Sequence, residues 1–322
     1  MDWYKIVLRF LEADGDPEKL KTVFNTLLGE LFEDRGELLT EEQMMNNREY
    51  YKAELPDGVL CLTCGVDTQD NRLEYEVVGH GYFGEEWGIE KGIILGKPDE
   101  EDKPELESVW HRLDRVIDKS WSYENGKQLK ISLTFVDSGG HYTQDVYEQC
   151  TKRANKRVFA VKGKGGEGIP YISPPSKVKI VNEVDKGRKV VVGKAWLYNI
   201  GVDSGKEKIM SSLKVQEPGA RYYHFPKQEE RGYDNNYFKG LLSEKMTLKS
   251  GKWQWIKLPG HERNEPLDIR NYANAAFRVL NPNLENIEKM LKMPKEEVEI
   301  IKQKKKKTVK KQKKNSLRND DW

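Results

Sequence analysis

Residues 59–95, VLCLTCGVDTQDNRLEYEVVGHGYFGEEWGIEKGIIL, decide the fold class. Val59–Asp67 is a mostly apolar run, as expected of a central strand buried on both faces. Thr68-Gln69-Asp70-Asn71 is turn chemistry, and Arg72–Tyr82 then alternates with β-branched and aromatic content. Gly84-Glu85-Glu86 turns the chain again and Trp87–Leu95 forms a third strand. The stretch therefore predicts a three-stranded meander.

Downstream the period changes. Pro104–Lys119 has Leu106, Val109, Trp110, Leu113 and Ile117 at helical spacing. Ile131–Val136 is a short buried strand, His141–Ala154 a helix and Arg157–Val161 another strand. Three antiparallel strands followed by alternating helix and strand is the element order of the ribonuclease H-like fold, an α/β architecture with a mixed sheet flanked by helices. In that fold catalytic acids stand at the ends of the first and fourth strands and on a late helix. Beyond the Lys162-Gly163-Lys164-Gly165-Gly166 loop, a strand is expected at Lys189–Tyr198 and a helix at Ser204–Leu213. Lys252–Leu258 reads as the second arm of a hairpin, and Asn264–Leu280 as a helix.

Upstream, residues 1–55 read as helical. Tyr4, Val7, Leu8, Phe10 and Leu11 form one stripe, and Leu20, Val23, Phe24, Leu27 and Leu28 a second, with Asp16-Pro17 as its start. The expected organisation is a helical connector over 1–58, a core domain over 59–281, and a polar helix with a disordered basic tail over 282–322.

The 322 residues suffice for one large core. No apolar run of about 18 residues predicts a membrane span. Three cysteines fit a reducing cytoplasm. Cys61 and Cys64 lack the further ligands of a zinc site and are expected as buried strand residues. Lys302–Lys314 carries nine lysines and no acid, so the net charge of +2 divides into +9 for this segment and −7 for the rest. Nucleic acid, if bound, is met by a local groove, by metal ions, by partners or by the tail, which is expected to carry salt-sensitive DNA affinity.

Three acidic motifs lie at the edges of these elements: Gly65-Val66-Asp67, Phe135-Val136-Asp137-Ser138-Gly139-Gly140 and Asn264-Glu265-Pro266-Leu267-Asp268. Alone, each acid is more often a cap or turn residue. Together, two strand-end carboxylates and one on a helix suit a hard divalent cation, and paired metals are the common means of cutting phosphodiesters. Metal ligation is thus expected at Asp67 and Asp137, with Asp268 or Glu265 as the third acid. The cofactor is Mg²⁺ or Mn²⁺, two ions being expected. Lys162 is a candidate electrostatic helper, and His141 a surface histidine near the Asp137 loop. No Walker A spacing occurs, since Gly201-Val202-Asp203-Ser204-Gly205-Lys206-Glu207 fails it, so ATP hydrolysis is not expected.

The chain resembles the large terminase subunits of tailed phages, in their lambda-like branch. The resemblance rests on Asp16-Pro17-Glu18-Lys19-Leu20-Lys21 leading to Phe24-Asn25-Thr26-Leu27-Leu28-Gly29-Glu30, and on Leu62–Glu74. The Asp137 motif, Val161-Lys162-Gly163, Gly201-Val202-Asp203, Pro218-Gly219 and Asn264–Asp268 continue it. It implies a nuclease that cuts concatemeric double-stranded phage DNA during packaging in the host cytoplasm. The implied partners are an ATPase domain, whose motifs are absent here, a terminase small subunit and a portal protein. Two other readings stand beside it: another ribonuclease H-like DNA enzyme of the resolvase or transposase type, and a non-catalytic packaging module binding portal or DNA.

Overall fold

The computed structural model describes residues 3–13, 39–101, 107–166, 168–184, 188–249 and 252–294, with isolated positions between 19 and 26. Two compact units emerge, Met1–Pro282 and Asn283–Trp322. Most of the second apolar stripe, its Asp16-Pro17 start, Pro104, Leu106 and the lysine tail lie outside the described residues.

The meander forms as expected. β1 (Cys61–Gln69), β2 (Arg72–His80) and β3 (Glu86–Leu95) pair antiparallel, with Asp67 opposite Glu74. Helix α3 (Val109–Asp118) buries Val109, Trp110, Leu113 and Ile117, and Ser108 caps it by accepting from the His111 amide. A short β4 (Ser120–Ser122), not foreseen from the sequence, pairs with the start of β5 (Gln128–Asp137). β5 then joins β1 in parallel, and α4 (Thr143–Lys152) leads to β6 (Val158–Lys164), parallel to β5. The order β3-β2-β1-β5-β6 is that of the ribonuclease H-like sheet.

Beyond β6, β8 (Arg188–Gly201) adds in parallel, and β7 (Ser176–Val184), also unforeseen, pairs antiparallel with it at the edge. β6 runs on through Lys164, into the stretch expected as a glycine loop. Next come α5 (Val202–Leu213), a two-residue β9 (Tyr223–His224) beside β3, and α6 (Asn235–Leu241). A hairpin of β10 (Glu244–Lys249) and β11 (Lys252–Lys257) follows, then α7 (Glu265–Leu280), which packs on β1, β2 and β5. In the second unit, Asn283 caps α8 (Leu284–Lys292), and Lys292 pairs with Glu288 across one turn.

The N-terminal segment differs from its helical reading. α1 (Trp3–Ala13) is a helix, but its stripe of Tyr4, Val7, Leu8, Phe10 and Leu11 is exposed. α2 (Glu41–Asn46), held by a Thr40–Gln43 capping box, buries Met44 in a cluster with Tyr237, Phe238 and Leu213. Residues 47–58 form no helix but an irregular segment with isolated bridges at Glu49 and Leu55. Tyr51, Leu55 and Val59 are buried at a spacing of four that imitates a helix face. Their backbone instead finds distant partners, with Glu49 N donating to Phe225 O at 3.0 Å and Leu55 N to Ser122 O at 3.0 Å.

Candidate active site

Alternation on β1 sends Thr63, Gly65 and Asp67 to the face that α7 covers. Thr63 Oγ1 donates to Ala273 O at 2.8 Å. At Gly65 the helix backbone comes so close that a β-carbon would lie 2.0 Å from Ile269 O, so only glycine fits. Two residues of strand span about 6.6 Å and four of helix about 6 Å. The pairing of Thr63 with Ala273 and of Gly65 with Ile269 therefore continues to Asp67 against the first turn of α7. The helix N-terminus faces the C-terminal ends of β1 and β5, where its dipole favours negative charge.

Asp137 arrives through the β1–β5 ladder. Val66 pairs with Val136, which leaves Asp67 and Asp137 adjacent at the strand ends. Thr68 Oγ1 ties the two ends by donating to Asp137 O at 3.0 Å. Ser138 is anchored to Val161 O through both its amide, at 2.9 Å, and its hydroxyl, at 2.8 Å. Gly139 N donates to Asp137 Oδ1 at 3.1 Å, and the Tyr272 hydroxyl, one turn beyond Asp268, also bonds this carboxylate.

Electrostatically the cluster holds surplus acid. Asp67 is 6% exposed, and burial pushes its carboxyl up to about 7, with Asp137, Asp268 and Glu265 adding to the rise. Burial likewise pushes Asp137 up to about 6, and Asp268 raises it further. Asp67 accepts from the Gln69 amide, and Asp137 from backbone amides and Tyr272. All of these donors are neutral. Among the described residues no lysine or arginine pairs with either acid.

The two candidates for the third acid separate. Glu265 is held by Arg72 at 3.1 Å and Arg263 at 3.3 Å, two cations that also bind the buried Glu74. Asp268 raises the carboxyl pKa of both Asp67 and Asp137, and Glu265 raises that of Asp67 as well. Asp268 Oδ1 lies 3.2 Å from Lys206 Nζ and its Oδ2 accepts from Asn264 Nδ2 at 2.8 Å.

Lys162 is not brought to the acids. Asp137 pairs with Val161, which shares the α7-facing cluster with Phe135, so Lys162, the next residue, points to the opposite face and is exposed. The cation that does reach the acids is Lys206, missed in the sequence because its segment was weighed only as a failed phosphate loop. The available signal was its spacing with Ile209 and Leu213, which puts Lys206 on the buried face of α5. Glu244, 2.9 Å from Lys206, gave no sequence signal. His141 is exposed beside Asp70, and Cys61, Cys64 and Cys150 are buried free thiols.

Among the described residues no group of three His, Cys, Asp or Glu side chains stands close enough together to hold a metal ion. The Asp67–Asp137 pair nevertheless suits one. Its donors are all oxygens, its charge is unmatched by protein cations, and Mg²⁺ is commonly held by one or two carboxylates completed by water and substrate phosphate.

Comparison with known proteins gives the family of the chain. The family model described as "Terminase large subunit gpA, endonuclease domain" matches residues 1–289. The large terminase subunit of Escherichia phage lambda is 33% identical over 284 residues, covering 86% of this chain and 41% of that protein. The large subunit of Enterobacteria phage P21 is 33% identical over 285 residues, with the same coverage of 86% and 41%. The chain thus spans about two fifths of the length of these relatives. A solved large terminase from a thermophilic bacteriophage aligns over 72% of this chain and 42% of its own, with 14% identity and a TM-score of 0.37. The chain belongs to the family of terminase large subunit gpA endonuclease domains.

Proposed function

We propose that this chain is a divalent-metal-dependent endonuclease that cuts concatemeric double-stranded phage DNA during genome packaging. The observation that carries this reading is the desolvated Asp67–Asp137 pair, met only by neutral donors, at the sheet end that the N-terminus of α7 faces. Buried carboxylates are stable as ions only when paired or metal-bound, so the pair is a standing demand for an external cation. Mg²⁺ or Mn²⁺ held there would polarise the phosphodiester and lower the pKa of a bound water.

The protein's own part in the reaction follows from its contacts. Gln69 and Gly139 fix the two carboxylates, and Tyr272 holds Asp137 from the helix side. Gly140, with open space around its Cα, leaves room for a phosphate backbone beside Asp137. Asp268 is the third acid in this reading, with Glu265 assigned to its arginine pairs. Lys162, exposed on the other face of the sheet, has no part at the reacting centre in this reading. The proposed partners are an ATPase portion like the remainder of the longer relatives, a terminase small subunit and a portal protein, in the host cytoplasm. No described helix is long and apolar enough to cross a membrane.

Incubating purified chain with supercoiled plasmid tests the reading. Nicking followed by linearisation is expected with Mg²⁺ or Mn²⁺ and is stopped by chelator. Asp67→Asn is expected to lose at least about a thousandfold in rate, roughly 4 kcal/mol of barrier. Undiminished cutting by that variant would falsify the assignment. A strong preference for four-way junctions over plain duplex would favour the resolvase class instead.

A further inference from the structure

Asp268 differs from the other two acids in already having a cation. Lys206 is buried, with 8% side-chain exposure, 3.2 Å from Asp268 Oδ1 and 2.9 Å from Glu244 Oε2. Asn264 Nδ2 closes the circuit, donating at 2.8 Å both to Asp268 Oδ2 and to Glu244 Oε1. Each Asp268 oxygen thus has a protein partner, and the lysine cannot drift away, because a second buried carboxylate holds it from behind.

The backbone sets this ring in place. A β-carbon on Gly205 would fall 1.9 Å from Asn271 Oδ1, so α5 meets α7 where only glycine fits, and the next residue is Lys206. Asn271 Nδ2 in turn holds Val202 O at 3.1 Å, locking the start of α5 to α7. An ammonium at this place repels any further cation approaching the same carboxylate.

Resting on the metal reading of the site given above, we propose that the centre takes up one divalent ion, between Asp67 and Asp137. The Lys206 ammonium then serves as the second, built-in cation at Asp268, where a paired-metal centre would place another ion. Lys206 is in this view a positioning residue and counter-cation, and Glu244 and Asn264 keep it in place.

Titrating the full chain with Mn²⁺, and following free Mn²⁺ by electron paramagnetic resonance, counts the ions directly. The wild-type chain is expected to bind one ion that Asp67→Asn abolishes. Lys206→Met is expected to bind a second, while Lys206→Arg, which keeps the charge, stays at one. The count is repeated with a duplex oligonucleotide bound, because a substrate phosphate can complete an ion's shell. The Asp67→Asn chain with the same duplex is the blank. Should Lys206→Met fail to fold by circular dichroism, the wild-type and Lys206→Arg counts still decide. Two Asp67-dependent ions in the wild-type chain would overturn the proposal and leave the metal reading standing. A folded Lys206→Met chain that stays at one ion overturns it as well. No Asp67-dependent uptake at all would overturn the metal reading, and this proposal with it.

Discussion

Two residues apart on α7, Arg270 and Asp268 serve two acid clusters with opposite charge logic. Arg270 is wholly buried. It contacts Glu76 on β2, lies 3.6 Å from Glu86 on β3 and 3.3 Å from the Tyr237 hydroxyl, and its guanidinium stacks 5.2 Å from the Phe225 ring centre. The acids there share a protein cation, Arg270, although Glu76 Oε2 and Glu86 Oε2 make no hydrogen bond. Asp67 and Asp137, on the neighbouring strands β1 and β5, have neutral donors alone. Both clusters bury carboxylates under one helix, but among the described residues Asp67 and Asp137 have no lysine or arginine partner, whereas Glu76 and Glu86 share one.

The largest expected effect breaks that contrast from its structural side. Arg270→Met leaves Glu76 and Glu86 uncompensated and is expected to cost about 3–5 kcal/mol in urea denaturation. Asp67→Asn removes an unmatched charge and is expected to leave stability unchanged or higher, although it abolishes cutting. Equal losses in the two variants would erase the distinction.

Gly65→Ala attacks the packing that sets Asp67 against α7. The added methyl meets Ile269 O, so helix and strand must part, and a loss of about 1–3 kcal/mol is expected. Nicking should fall with it in the same preparations, because the acids separate. A stable variant with normal activity would show that this contact does not position the site.

The pH dependence of stability sharpens the comparison further. An unfolded aspartate titrates near 3.8, whereas burial and neighbouring carboxylates push Asp67 up to about 7 and Asp137 up to about 6. Between those values the native state binds more protons than the unfolded chain. The stability contributed by the protonated acids is therefore fully present below about pH 4 and is lost as pH rises through 6 to 7. The slope is at most about 1.4 kcal/mol per unit for each group. Asp67→Asn should flatten this slope, and Mn²⁺ added at pH 8 should restore the lost stability. Thermal melts across pH with and without Mn²⁺ measure both, and a slope of opposite sign would refute the unmatched-acid account.

The smallest effect concerns Glu265. Its arginine partners already satisfy it, so Glu265→Gln should slow nicking by no more than about tenfold, roughly 1.4 kcal/mol. Asp268→Asn should slow it far more. The reverse ranking in a plasmid assay would make Glu265 the third acid.

Much of this was legible in residues 59–95 and their neighbours. Strand alternation, turn residues and the apolar stripe of α3 are local signals, and they placed the five central strands, the helices between them and both strand-end aspartates. The segment 47–58, read as part of a helical connector, is not helical. Phe225 and Ser122, far along the chain, supply its backbone partners and decide its path. β4 and β7 were missed for a like reason, since each gains its hydrogen bonds from a strand already in the sheet.

The sequence by itself determined the succession of the central strands and helices along the chain and set Asp67, Asp137 and the Glu265–Asp268 pair near element ends, because strand and helix periods depend only on near neighbours. Tertiary structure alone decided that Glu265 meets Arg72 and Arg263, that Lys162 faces away and that Lys206 and Glu244 close around Asp268. Those outcomes depend on where backbones can touch. Gly65 against Ile269 and Gly205 against Asn271 fix α7 and α5 to within a carbon atom's width, and charges separated by up to some 200 residues meet only after those contacts form.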